Sequence, residues 1–269
     1  MNKLFFTAMT TSLLTLTACG GGGGDDGVQV NQSVQPFTMK EQNVVWMITQ
    51  KDYDNNLIPL NTPTTTQAGQ DGNITQLKIG NKTFPLTNGS LQTTGDFKFY
   101  EYETDTAFIV SGGDTAYARY GWGMFATATQ DVAQMALFYQ GMPTSIEEMK
   151  ALEKQADDVT YTGQAIAVKQ GNYNSNLSDP NPLAIGKTQL TANFKNKTLK
   201  GSIGQWESSS FTLKPVTVDA KIQANTFQGT ANKTGSAEGK FYGTNAANLA
   251  GSFNDKSQKL HGVFGGVKK

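Results

Sequence analysis

Val216-Thr217-Val218-Asp219-Ala220-Lys221-Ile222-Gln223-Ala224 alternates apolar and polar side chains without a break. Successive side chains of a β-strand point to opposite faces. A period of two therefore puts Val216, Val218, Ala220, Ile222 and Ala224 on one face, and Thr217, Asp219, Lys221 and Gln223 on the other. The pattern recurs on both sides. Leu190, Ala192 and Phe194 oppose Thr191, Asn193 and Lys195; Ala237, Gly239 and Phe241 oppose Ser236, Glu238 and Lys240. Asn196-Lys197 can turn the chain into Leu199 to Ile203. From Val159 onward the chain reads as roughly eight short strands, the number at which a barrel is just filled by its own side chains.

Alternation alone does not separate a water-soluble barrel from a membrane barrel, because both alternate. The charges favour the soluble kind. Asp219, Lys221, Glu238 and Lys240 lie mid-strand, where a lipid-facing charge costs about 2–4 kcal/mol, and no aromatic girdles repeat at strand ends. Gly239 and Gly251, beside Phe241 and Phe253, suit a tapering, filled interior.

Upstream of the barrel, Thr144 to Asp158 breaks the β pattern. Ser145-Ile146-Glu147-Glu148 fits a capping box, and Ile146, Met149, Leu152 and Ala156 recur at helical spacing. One short helix is expected over 144–158, its acidic first turn matched to the helix dipole. From about Gln35 to Gln140 the chain reads as irregular β structure. Val44 to Ile48, Phe97 to Tyr102, Phe108 to Val110, Ala116 to Phe125 and Met135 to Tyr139 are its apolar stretches, and Gly80-Asn81-Lys82 is a hairpin signal. The fold class expected is all-β, an N-terminal β region followed by an eight-stranded, filled antiparallel barrel over 159–269, with one linking helix.

Residues 1–18 have one charge, Lys3, then a short apolar stretch diluted by Thr and Ser, then the small-residue close Leu16-Thr17-Ala18 before Cys19. That describes a secretory signal, too short to span a bilayer, which takes roughly 20 apolar residues. Leu16-Thr17-Ala18-Cys19 looks like a bacterial lipobox, which implies cleavage before Cys19 and lipid on its thiol. Cys19 is the only cysteine, so the exported chain has no disulfide framework, and lipidation consumes its one thiol. Each buried CH₂ of an acyl chain contributes about 0.8 kcal/mol of membrane affinity. Residues 19–35, opening Gly20 to Gly24, make a flexible tether. Gly20 after the cysteine, rather than Asp, favours the outer membrane by resemblance to lipoprotein sorting rules. Removing 1–18 leaves 251 residues with 21 basic against 22 acidic side chains, a balance that gives no reason to expect nucleic acid or anionic lipid as a partner.

The run Gly239-Lys240-Phe241-Tyr242-Gly243-Thr244-Asn245-Ala246-Ala247-Asn248-Leu249-Ala250-Gly251-Ser252-Phe253 resembles the barrel signature of transferrin-binding protein B lobes. So do Tyr161-Thr162-Gly163, Phe227-Gln228-Gly229-Thr230-Ala231 and Gly262-Val263-Phe264-Gly265, in the same order. Phe138-Tyr139-Gln140-Gly141-Met142-Pro143-Thr144 is similar to the segment leading into the barrel in hemophilin-like and other Slam-dependent surface proteins. The resemblance implies that residues 36–143 are a β handle domain, and that a Slam-type outer-membrane translocator delivers the lipoprotein to the cell surface. It also implies capture of a host protein such as transferrin or haemoglobin, or of haem, with a TonB-dependent receptor taking the cargo. One handle and one barrel make transferrin itself a weaker expectation than in bilobed members.

Catalytic chemistry has little to stand on. His261 is the one histidine, and no Ser/His/Asp, Cys/His or metal cluster can be built. It lies in the last strand and points outward if Phe264 points inward. Glu147-Glu148 and Asp157-Asp158 read as solvated helix-end charge. An enzyme is therefore not expected, and no cofactor is required. Haem stays open as cargo, since haem iron takes Met or Tyr as well as imidazole. The candidate contact residues are Tyr117, Tyr120, Trp122, Met124 and Phe125, types enriched in interface cores. The other reading is packing inside the handle or against the barrel, since aromatic runs more often bury than bind. Three readings follow: a host-protein receptor for iron or haem acquisition, a colonisation or immune-evasion adhesin without nutrient cargo, and a small-ligand or haem carrier. Asp52 to Asn56 and Asn172 to Pro182 read as exposed loops that could serve any of them.

Overall fold

A computed structural model describes residues 42–51, 57–59, 65–67, 74–79, 82–87, 91–113, 115–126, 132–155, 157–169, 183–208 and 212–269. Cys19, the signal and tether segments, and the loops Asp52 to Asn56 and Asn172 to Pro182 lie outside the described residues.

Among the described residues ten strands precede the helix: β1 (Gln42–Lys51), β2 (Leu57–Pro59), β3 (Thr65–Gln67), β4 (Gln76–Ile79), β5 (Lys82–Pro85), β6 (Gln92–Thr94), β7 (Phe97–Thr104), β8 (Ala107–Gly112), β9 (Ala118–Ala126) and β10 (Val132–Gly141). Eight form one sheet, in the order β2-β1-β10-β9-β8-β7-β6 with β3 also on β1; β4 and β5 pair separately, as the hairpin signal predicts. The middle of the sheet, β8 to β10, is covered on both faces. Ala107, Ile109, Phe125, Ala136 and Phe138 pack under the β4–β5 hairpin against Leu77, Phe84 and Leu86. Gln140 Nε2 donates to the carbonyls of Ile74 (3.1 Å) and Gln76 (2.7 Å), and Ser111 Oγ donates to that of Leu86 (2.6 Å), which holds the hairpin in place.

The helix α1 (Ile146–Leu152) starts at the expected capping box. Ser145 Oγ accepts from Glu148 N, and Glu148 Oε2 accepts from Ser145 N. It ends earlier than the spacing through Ala156 suggests. The donations Lys154 N to Ala151 O and Gln155 N to Leu152 O close it in tight three-residue turns. Met149 and Leu152 are buried under the barrel's end, while Ile146 is exposed.

The barrel closes through β11 (Val159–Lys169), β12 (Leu183–Asn193), β13 (Thr198–Glu207), β14 (Val216–Gln223), β15 (Thr226–Ala231), β16 (Ser236–Tyr242), β17 (Asn248–Asp255) and β18 (Leu260–Lys268), all antiparallel, with β18 returning to β11. β14 alternates buried and exposed along its whole length, as its sequence demands. The β12–β13 turn forms because Asn193 Oδ1 accepts from Asn196 N (2.8 Å) and Lys197 takes a left-handed φ of 55°. Tyr161, Phe194, Phe227, Phe241, Phe253 and Phe264 fill the interior. Gly239 and Gly251 pair across β16 and β17, and a Cβ on either would strike the ring of Phe227 (2.4 Å) or Phe264 (2.9 Å). The missing side chains are thus the space the rings occupy.

One rim of the barrel is fixed by Asp255, whose carboxylate is fully enclosed. Oδ1 accepts from Ser257 N (2.9 Å) and Oγ (2.6 Å); Oδ2 accepts from Asn232 Nδ2 (2.7 Å) and Gln258 Nε2 (2.7 Å). Burial alone would raise its pKa, but the hydrogen bonds from Ser257, Gln258 and Asn232 outweigh it and hold the group below its ordinary 3.8. A depressed carboxylate contributes stability that is present above the unfolded pKa and lost as pH falls through the folded one. Asp255→Asn is therefore expected to cost roughly 1.5–3 kcal/mol near neutral pH. It should also flatten the loss of stability below about pH 4. Urea titrations of both proteins across that range check this; parallel pH profiles would refute it.

Candidate functional site

The strand β9 is buried on both faces from Ala118 to Phe125. Ala118, Tyr120, Trp122 and Met124 face the barrel; Phe125 faces the β4–β5 hairpin, its ring 4.8 Å from Phe84. Phe108 and Val110 from β8, and Leu137 and Tyr139 from β10, join the barrel-facing side. The barrel answers with Ile166 and Val168 (β11), Tyr242 (β16), Ala250 (β17) and Val263 (β18). These point outward from the barrel, since their neighbours Ala165, Ala167 and Phe264 fill its interior. The result is a second core between sheet and barrel. The Tyr120 ring lies between two glycines, Gly112 on the sheet and Gly265 on the barrel.

Polar contacts stitch the same seam. Tyr117 N donates to Asn248 Oδ1 (2.8 Å), Thr144 N to Phe241 O (2.9 Å), Thr144 Oγ1 to Gly243 O (2.8 Å) and Gly243 N to Met142 O (2.8 Å). The Gln164 amide reaches from β11 to the β7 backbone, accepting from Lys98 N (2.7 Å) and donating to Lys98 O (3.0 Å). Asn245 N donates to Glu148 Oε1 (3.1 Å), which ties α1 to the short 3₁₀ turn Thr244–Ala246. Burial tends to raise the Glu148 pKa, but the hydrogen bonds from Asn245 and Ser145 prevail and lower it.

Tyr120, Trp122, Met124 and Phe125 are thus buried, and their side chains are committed to packing. Tyr117 alone of the five sequence candidates borders open space. It stands in a cleft of about 950 Å³ where the seam opens to solvent. The β6–β7 turn and the β8–β9 connection form one wall; Thr162 to Gln164, Lys187, Thr244 to Asn248 and the end of β18 form the other. Lys187 Nζ meets Asp96 Oδ2 across it at 2.5 Å, and that hydrogen bond and charge lower the Asp96 pKa. Lys98, Gln164, Lys187 and Asn248 were not singled out as site residues by the sequence, although Asn248 falls inside the long barrel signature and Gln164 follows Tyr161-Thr162-Gly163. His261 is half-buried on the outer face of β18, paired opposite Asn254 and Val168, and burial lowers its pKa below 6.5. Among the described residues no group of three His, Cys, Asp or Glu side chains could hold a metal ion, and no helix is long and apolar enough to cross a membrane.

Residues 155–268 match the family described as the C-lobe and N-lobe beta barrels of Tf-binding protein B. An uncharacterized protein of Haemophilus influenzae is 28% identical over 306 residues, covering 100% of this chain and 99% of that protein. Transferrin-binding protein B of Moraxella catarrhalis is 25% identical over 234 residues, covering 70% of this chain and 33% of that one. A crystal structure of a transferrin-binding protein B variant from Haemophilus parasuis Hp5 superposes with a TM-score of 0.54 at 21% identity, covering 84% of this chain and 45% of that chain. The chain thus spans less than half the length of these transferrin-binding proteins. It shares their fold of a β sheet region followed by an eight-stranded barrel, and the family match falls on the barrel.

Proposed function

We propose that the chain is an outer-membrane lipoprotein, anchored through Cys19 and displayed on the cell surface. There it binds a host protein such as transferrin or haemoglobin, in iron or haem acquisition. The likeness of residues 155–268 to the transferrin-binding protein B barrels carries this reading. Residues 36–143 act as the handle domain, 144–158 as the link and 159–269 as the barrel. The mechanism is binding without catalysis: the barrel holds the handle rigidly through the seam, and the handle's loops meet the partner. A Slam-type translocator brings the protein to the surface, and a TonB-dependent receptor accepts the cargo.

The test is capture from host serum and haemolysate by the immobilised full chain, read by mass spectrometry. An iron- or haem-carrying host protein is the expected catch. Complement or matrix proteins alone would replace this reading with an adhesin. A Soret band with free haem, without protein capture, would replace it with a haem carrier. In cells, Cys19→Ser is expected to move the protein out of the membrane fraction; retention there would remove the lipid anchor from the proposal.

A further inference from the structure

Among the described residues, lysines outnumber acidic side chains in the cleft at the seam, on a chain that is otherwise balanced. Lys98, Lys187 and Lys268 line it, against one acidic side chain among those described residues, Asp96. Glu207 also stands near the β6–β7 turn, its Oε1 4.0 Å from where a Gly95 Cβ would be. Apolar side chains line it as well. Leu91, one of two large apolar side chains exposed among the described residues, stands there with Tyr117 and Val267.

We infer that this cleft docks an acidic segment of a partner protein, one that carries apolar side chains between its carboxylates. Three observations choose that occupant. The lysines call for anionic groups at several points rather than one, because they come from β7, β12 and the end of β18. The exposed Leu91 and the half-buried Tyr117 give an inorganic anion nothing to contact, but suit side chains of a peptide. The site is concave, between two walls, and a flat bilayer cannot enter it. Asp96 already displays the chemistry. Its carboxylate occupies Lys187 from the sheet side, and both partners are well exposed, at 76% and 43%. Such a pair is weak and exchanges readily with a competing carboxylate. Asp96 therefore holds the place of a ligand carboxylate and lowers the apparent affinity.

The inference does not depend on the partner being a host iron protein: serum capture can fail while the cleft binds acidic peptide, and the reverse. The probe is a fluorescein-labelled octapeptide of alternating Glu and Leu, titrated with the full chain and read by anisotropy. Saturable binding is expected, weakening as salt screens it. Replacing Lys98, Lys187 and Lys268 together with Ser is expected to weaken it by roughly tenfold or more, at a factor of about two to five per exposed pair. Asp96→Ser is expected to tighten it by a similar single factor, and Leu91→Ser to weaken it. The variants sit at exposed or partly exposed positions, and circular dichroism verifies that each is folded. Absence of saturable binding, or binding that ignores the lysine substitutions, overturns the inference. So does displacement of the peptide by equimolar inorganic phosphate, which makes this a simple anion site. Lysine-dependent sedimentation with phosphatidylserine vesicles, without peptide binding, overturns it in favour of a membrane contact.

Discussion

Phe241→Ala is expected to destabilise the protein by about 3–5 kcal/mol, the range for removing a large buried aromatic ring. Phe241 is fully buried and is the hub of the barrel's interior, with ring centroids 5.8 Å from Tyr161, 5.2 Å from Phe194 and 5.5 Å from Phe227. Those rings come from β11, from the end of β12 and from β15. They cannot close over the gap by moving their backbones, because each strand is hydrogen-bonded on both sides in a closed ring. A site that cannot collapse keeps its cavity, and the cost sits at the upper end of the range. Against a total stability of about 5–15 kcal/mol for a typical domain, this is a large share. Urea unfolding followed through Trp206 reports it, since Trp206 packs on Phe253 at 6.1 Å in the same barrel. A loss under about 1 kcal/mol would mean that the interior is not filled as described.

The barrel was legible in the sequence where its outer face meets water. In β14, Thr217, Asp219, Lys221 and Gln223 are exposed, so burial on one face wrote alternation into the residues. On the opposite side of the barrel the same geometry writes something else. Ala165-Ile166-Ala167-Val168 in β11 are buried consecutively, because the odd positions fill the barrel and the even ones meet the sheet. A run apolar on both faces carries no period, so the sequence does not say what covers it. The aromatic stretch of β9 has the same ambiguity. Tyr120, Trp122 and Met124 are types found in binding surfaces and in cores alike, and only the packed sheet decides between them. The start of α1 was legible because a capping box is local, three residues apart. The cleft was not, because Lys98, Lys187 and Lys268 converge from positions some ninety residues apart in the chain.

The seam makes a second strong prediction, because its fit depends on an absent side chain. Gly265 lies on β18 where Tyr120 rests, and a Cβ there would come within 2.1 Å of Tyr120 Cε1 and 2.5 Å of Cδ1. The ring cannot retreat, since a Cβ on Gly112 behind it would lie 2.3 Å from Tyr120 Cζ. Gly265→Val must therefore push sheet and barrel apart. Overpacking a filled core costs about 1–3 kcal/mol, occasionally more, and a branched side chain against an immobile ring belongs at the high end. The barrel keeps the pairing of Gly265 with Ala250 of β17 and, on the β11 side, those of Phe264 with Ala165 and Val267 with Thr162, so the damage falls on the seam. Trp122, fully buried in that seam, should shift its emission to the red, while Trp206 in the barrel should not. Hydrogen exchange should speed in β8, β9 and β10 and stay slow in β14 to β16. A decisive control is compensation. Tyr120→Ala removes the ring that the new side chain strikes, so the double variant should lose less stability than the two single losses added together, a coupling of about 0.5–3 kcal/mol for residues in contact. Additive losses would mean that Tyr120 and Gly265 do not meet, and that the sheet is not seated on the barrel through this ring.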